Sequence, residues 1–290
     1  MSAELLANAV VAGILLGGFY AAVALGLAIV FGQLDIVNIA HPAFIIVGAY
    51  VAYILNSKFG FDPVLIGIAA APLFFLVGAL FYRIYYLAFE RTGQESLSGL
   101  AFFFGVMFII EVVLIMIYGV DYRLVQADYV GESWSIGGIG LPLRMLVPFV
   151  VASVLTAGVW LYMSRTFMGR AIQAVAQDRL ALQLMGADPV KIKQWAFGLG
   201  IATAAIAGAL LIVIGPVEPS VNRQYIGRAF AIVVLGGMGS IQGMFIAALL
   251  LGVIETVVAT LYGPSWAPAV SFGVLGLTLA LRPSGLFGRE

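Results

Sequence analysis

The segment SRTFMGRAIQAVAQDRLALQLMGADPVKIK, residues 164–193, is the polar interruption around which an otherwise apolar chain is organised. Arg165, Arg170, Asp178, Arg179, Asp188, Lys191 and Lys193 all fall within it. Each such charge costs about 2.5–3.5 kcal/mol at the centre of a bilayer, so the segment lies outside the hydrocarbon. Ile172, Ala176, Leu180 and Leu184 recur every fourth residue, while Arg170, Gln173 and Gln177 take another face. This spacing predicts one amphipathic helix. Gly186 is placed to end it, because glycine tolerates the left-handed backbone there. Asp188-Pro189 predicts a second helix start, with a capping carboxylate and proline in the first turn. Two readings stay open: a connector lying in the membrane interface, or a docking element for a soluble partner.

The flanking sequence sets the class. The chain has 290 residues, 63% hydrophobic and 10% charged, with a mean hydropathy of +1.10. Soluble domains carry about 25% charged residues, so this chain lacks the charge to cover a soluble surface. It reads as an all-α, polytopic membrane protein forming one domain over residues 1–290. A net charge of zero gives no indication of nucleic-acid binding. The absence of cysteine excludes disulfides, iron–sulfur clusters and cysteine-based zinc sites. The start, MSAELLANAV, has Glu4 and no basic residue, so the first apolar run is expected to be a retained span rather than a cleaved signal.

A span needs about 20 apolar residues. Expected crossings are Leu5–Phe31, Asn38–Leu55, Pro63–Phe89, Leu97–Tyr118, Met145–Met163, Gln194–Ile214, Ile241–Leu261 and Ala269–Leu281 with its flanks. That gives eight, or nine if the short Ala229–Leu235 run also crosses. Gly13 and Gly17 form a GxxxG pattern for close helix approach, and Gly200, Ala204 and Gly208 give a small-residue face. The GESWSIGGIGLP stretch in the loop 119–144 predicts a hairpin. Arg83, Arg91, Arg165, Arg170, Arg179, Lys191, Lys193, Arg282 and Arg289 fall on one side, against Lys58, Arg123, Arg144, Arg223 and Arg228 on the other. The positive-inside rule therefore places residues 164–193 and the C-terminus in the cytoplasm. Residues 28–52 and 231–255 both run apolar, break, and run apolar again, as paired broken helices along a transport pathway do.

Motifs for chemistry are few. None of the three lysines follows a glycine, which excludes a Walker A loop, and His41 is the only histidine. Glu111 and Glu255 fall inside expected spans, where a carboxylate either serves a substrate or proton route or is a hydrogen-bonded packing group; neither has a basic partner evident in sequence. Asn38, His41 and Pro42 mark a helix break. Either its free amides face a pathway, or Asn38 caps locally and His41 is satisfied in the core. Gly236, Gly237, Gly239 and Ser240, in GGMGS, either permit close packing or expose backbone amides to a ligand. A stand-alone ion-coupled carrier or channel for a small polar solute, using Glu111 and Glu255, is the competing functional reading.

Four motifs then converge in order: LDIVNIAHPAFIIVGAY at residues 34–50, GRAIQAVAQDRLALQLMGADPVKIK at 169–193, VVLGGMGSIQG at 233–243 and LRPSGLFG at 281–288. Together they resemble the permeases of branched-chain amino acid ABC importers, in particular the shorter of the two paired permeases. The resemblance covers essentially the whole chain. It implies a transport subunit of the bacterial inner membrane with no catalysis and no cofactor of its own. Its implied partners are a second permease, homologous or identical, two ATP-binding cassette subunits that hold ATP and magnesium, and a periplasmic substrate-binding protein. Residues 165–193 would be the coupling loop, with Gly169, Arg170, Asp178, Arg179, Leu180, Ala181, Leu182 and Gly186 facing the ATPase. Leu180-Ala181-Leu182 stands where such loops carry Glu-Ala-Ala, so the spacing to Gly186 is kept without the glutamate. Pro42 stands where the family usually has glycine. Related permeases carry branched-chain or other amino acids, urea, amides or aromatic carboxylates.

Overall fold

A computed structural model describes residues 3–93, 95–136, 139–282 and 284–288. The helices are α1 (Ala3–Leu34), α2 (His41–Phe59), α3 (Pro63–Ala88), α4 (Glu95–Tyr118), α5 (Leu143–Arg165), α6 (Phe167–Gln177), α7 (Arg179–Leu184), α8 (Pro189–Ile214), α9 (Asn222–Gly236), α10 (Ile241–Tyr262) and α11 (Ala267–Leu281). Among the described residues eight helical segments are long and apolar enough to cross a membrane, which makes this a multi-pass membrane protein. Strands β1 (Ser133–Ile136) and β2 (Ile139–Pro142) pair antiparallel, Ser133 opposite Pro142 and Ile136 opposite Ile139. The expected hairpin is therefore present; its turn, Gly137 and Gly138, lies outside the described residues, as does Arg289.

α1 and α8 form the centre. The most apolar stretch of each is 83% buried, against 11% for the α11 segment. Small residues let the backbones close in. A Cβ on Gly13 or Gly17 would sit 2.6 Å from the Cα of Val253 or Leu249, so the GxxxG face of α1 lies directly on α10. A Cβ on Gly208 would sit 2.1 Å from the Ile45 carbonyl oxygen of α2. Without a hydrophobic drive between helices in lipid, such close backbone contact is the main source of packing attraction.

The two ends of the bundle can be told apart. At one end, Asn8 of α1 accepts from Gly140 N at 3.0 Å, and Arg123 and Val217 exchange both backbone hydrogen bonds. Asn56 ties the same end together, donating to the Phe61 and Gln126 carbonyls and accepting from Gln126 N at 3.0 Å. At the other end Gln33, after nearly the full length of α1, donates to the Gly239 carbonyl at 2.7 Å. α9 also runs between these ends, beside the eight segments long enough to cross. α9 is only 15 residues, about 22 Å. It begins at Asn222, seven residues before the apolar run marks it, because Arg223 and Arg228 lie within it rather than in the preceding loop.

The segment 164–193 departs from its expected form. It is two short helices, not one. Asp178 adopts an extended backbone, closes α6 and caps α7 by accepting from Leu180 N and Ala181 N, both at 2.9 Å. A carboxylate able to satisfy two free amides outcompetes continuation of the helix. The predicted stripe is split accordingly: Ile172 is buried, whereas Ala176, Leu180 and Leu184 are exposed. The other signals hold. Gly186 has φ +81°, and Asp188 caps α8 through Val190 N and Lys191 N, with Pro189 first in the helix.

Candidate functional site

Among the described residues, the three most buried charge pairs all depend on helices meeting at a distance in sequence. Glu111 of α4 is held by Arg223 (Nη2 to Oε1 2.6 Å, Nε to Oε2 3.3 Å) and by Asn222 Nδ2 at 3.2 Å. Glu255 of α10 takes Arg228 Nε at 2.9 Å and the Ser271 hydroxyl of α11 at 2.5 Å on Oε1, and the Tyr20 hydroxyl of α1 on Oε2. Arg228 also stands over the rings of Tyr20 and Tyr225, 5.7 Å from each centroid. Both carboxylates thus have basic partners, contrary to expectation from sequence, and both partners come from α9. Lys193, counted above with the loop charges, is instead buried and ion-paired to Glu90, which also accepts from the Tyr82 hydroxyl at 2.9 Å. Charges this costly to desolvate are kept where partners and extra donors compensate them.

The break between α1 and α2 is deeper than its polar residues suggest. A Cβ on Gly26 would meet His41 Cε1 at 2.3 Å, so α2 starts level with Gly26, about two turns inside the end of α1. α2 begins one residue before Pro42. Asn38 and His41 are fully buried; neither side-chain polar atom of Asn38 has a hydrogen-bond partner among the described residues, and the His41 ring faces the Val23 backbone. Asn38 does not cap the helix with its side chain, and neither residue reaches the surface in this conformation.

The GGMGS turn is packed at Gly236 and Gly237, whereas Met238 and Gly239 are exposed. A Cβ on Gly236 would meet the Met244 backbone at 2.5 Å, and one on Gly237 would meet Gly288 N at 2.3 Å. Gly237 and Gly239 take φ of +94° and +87°, and Ser240 caps α10 by accepting from Gly243 N at 3.0 Å. Beside this turn lies a cleft of about 520 Å³, lined by Gln33, Ser164, Gln173, Gln177, Gly239 and Gln242 among others. It lies between α6 and the α9–α10 turn, so two of the motifs line it. Gly169 is buried against Met163 of α5, since a Cβ there would meet the Met163 Cα at 2.5 Å. Arg170 is exposed. Leu182 is half-buried; Leu180, Ala181, Leu184 and Met185 are exposed. Arg179 is described only as the first residue of α7. The structure does not bring Glu111 or Glu255 to this cleft. No group of three or more metal-ligating side chains converges among the described residues.

Comparison with known proteins agrees with these features. Residues 9–279 match the family model for the branched-chain amino acid transport system permease component. The chain is 31% identical to the high-affinity branched-chain amino acid transport permease BraD of Pseudomonas aeruginosa, covering 96% of this chain and 94% of that one. It is 27% identical to LivH of Escherichia coli over the same shares. LivM of the same organism is 28% identical, with 92% of this chain covering 67% of it. Among solved structures, PsaBC of Streptococcus pneumoniae aligns with a TM-score of 0.51 at 13% identity, over 98% of this chain and 94% of that one, which is a likeness of fold.

Proposed function

This chain belongs to the branched-chain amino acid transport permease family, and from that premise we propose that it forms, with a second permease, the membrane path for branched-chain or related amino acids. It is the permease subunit of an ABC importer and not an enzyme. In the proposed assembly, two ATPase subunits bind ATP and magnesium from the cytoplasm. A periplasmic binding protein delivers the solute and supplies most of the selectivity. The membrane is the bacterial inner membrane.

Residues 165–193 are the proposed coupling loop. The observation that carries this reading is the exposed apolar tip of α7: Leu180, Leu184 and Met185 are 66%, 82% and 85% exposed. A cluster of this kind, outside the hydrocarbon and next to the turn at Gly186, marks an interaction surface. α6 precedes α7 and packs on α1, α5 and α8, so a push on α7 is delivered through Asp178 and α6 to those helices. ATP binding can bias the permease only through contacts that differ between its inward- and outward-facing states; α7 is where those contacts are proposed.

Glu111 and Glu255 are proposed to brace α9 and not to carry protons, since each is already neutralised by an arginine. A stand-alone carrier is therefore disfavoured. Asn38, His41 and Pro42 stay as candidates for the pathway in another conformation of the α1–α2 break. The test is reconstitution in liposomes with and without the ATPase. Uptake should require it. Uptake by this chain and its permease partner alone, driven by an ion gradient, would overturn the proposal.

A further inference from the structure

α3 carries a continuous outward stripe, Leu76, Leu80, Ile84 and Leu87, at successive helical turns and all exposed. No described residue covers it, and it suits acyl chains. Directly where this stripe ends, α3 and the start of α8 enclose a lateral cleft of about 550 Å³. Its charged lining is Arg83, Arg91, Lys191 and Asp188. Asp188 is committed to the first amides of α8 and lies 3.7 Å from Lys191. Arg83 and Arg91 have no carboxylate partner among the described residues; Arg83 stacks over Tyr86 instead, 5.8 Å from its centroid. Trp195 and Tyr162, hydrogen-bonded to each other at 3.0 Å, lie at this end of α8 and α5, as amphipathic aromatics do at the headgroup level. By the positive-inside rule this is the cytoplasmic leaflet.

An exposed excess of basic side chains beside a membrane-facing leucine stripe suits one ligand: a phosphate group with acyl chains attached. We propose that this cleft binds the headgroup of an anionic phospholipid, with its phosphate held among Arg83, Arg91 and Lys191 and its chains laid along Leu76–Leu87. Basic pockets between helices on this side of a membrane recognise such headgroups. The site also touches the coupling machinery. A neighbouring cleft shares Tyr86, Arg91 and Val190 with it and reaches Gln183 of α7 and the buried Lys193 and Glu90. A bound lipid would brace the joint from which α7 projects. This inference does not depend on the substrate or on the transport proposal.

The test is native mass spectrometry of the full chain, alone and in its complex, released from bilayers mixing phosphatidylglycerol and phosphatidylcholine. The wild type should retain phosphatidylglycerol selectively. Arg83→Gln with Lys191→Gln should weaken that retention about thirtyfold, which is about 1 kcal/mol for each basic group removed; Lys58→Gln at the opposite end should not. Equal retention of both lipids by the wild type overturns the proposal. So does unchanged retention in the double variant, provided it elutes as the wild type does. Displacement of the lipid by inorganic phosphate at matched concentration would make this a free-phosphate site. Loss of the lipid whenever the ATPase is bound would assign the face to that protein.

Discussion

Replacing Arg228 with methionine removes the cation paired to Glu255 and keeps much of the side-chain volume. The pair is shielded, with Arg228 12% and Glu255 2% exposed, so solvent screening gives little relief. Breaking a buried pair by deleting one partner costs about 3–5 kcal/mol. Glu255 keeps the Tyr20 and Ser271 hydroxyls as donors, which places the loss near 3 kcal/mol, the lower end of that range. At about 2–4 °C per kcal/mol, the unfolding midpoint of the detergent-solubilised chain should fall by about 6–12 °C. Arg228→Met with Glu255→Met should recover at least half of it, because two apolar groups leave no charge stranded. Tryptophan fluorescence during heating reads both. Glu255→Gln is the companion: it should lower the midpoint while the surviving folded complex keeps ATP-driven uptake. Two results would refute the reasoning. One is a midpoint for Arg228→Met within a degree of wild type; the other is a normal midpoint for Glu255→Gln with uptake abolished, which would return Glu255 to the transport path.

Other perturbations probe separate parts of the fold. Leu184→Asp, on the exposed tip of α7, should leave the midpoint unchanged and cut ATPase co-purification by tenfold or more, because burial of one leucine is worth about 1.5–3 kcal/mol; equal recovery of the ATPase would count against the docking surface. Gly186→Val forces a β-branched residue into φ +81°, a cost of about 1–2 kcal/mol, and is expected to lower uptake per ATP hydrolysed more than it lowers the midpoint. Gly17→Leu brings a side chain into the Leu249 backbone and should abolish folded yield in membranes, whereas Gly105→Leu, with open space around its Cβ position, should not. Lys193→Met removes one ion-pair partner of the Glu90 carboxylate and should lower the midpoint in the same melt, whereas Lys191→Met at the exposed neighbouring pair should change stability by less than about 1 kcal/mol.

The membrane class and the crossings were legible because they are written in run lengths of apolar residues. GxxxG in α1 and the small face of α8 were legible because only glycine and alanine admit such approach. Local caps were legible too: Asp188-Pro189 and Gly186 act through their immediate neighbours. The unreadable features involve residues far apart in sequence. Glu111 and Arg223, Glu255 and Arg228, and Glu90 and Lys193 are separated by 27 to 112 positions, and no local pattern signals such meetings. One signal was available: Arg223 and Arg228 stand just before an apolar stretch too short to cross, which invites the question of what neutralises them. The break at Asp178 was hidden for the opposite reason. The four-residue period of Ile172 to Leu184 suits one helix, and it took the competing appetite of a carboxylate for free amides to split it.

α9 imposes an order on how the protein is made. At 15 residues with two arginines, it has too little apolar length to enter a bilayer by itself. Glu111 is synthesised before Arg223 and can be waiting for it. Glu255 and Ser271 are synthesised after Arg228, so that arginine emerges with no counter-charge. α9 can therefore settle into the lipid only once α10 has been delivered beside it, and the last third of the polypeptide must enter as a cohort. A ribosome halted after Ser240 would leave α9 outside the membrane, still reachable by a water-borne label.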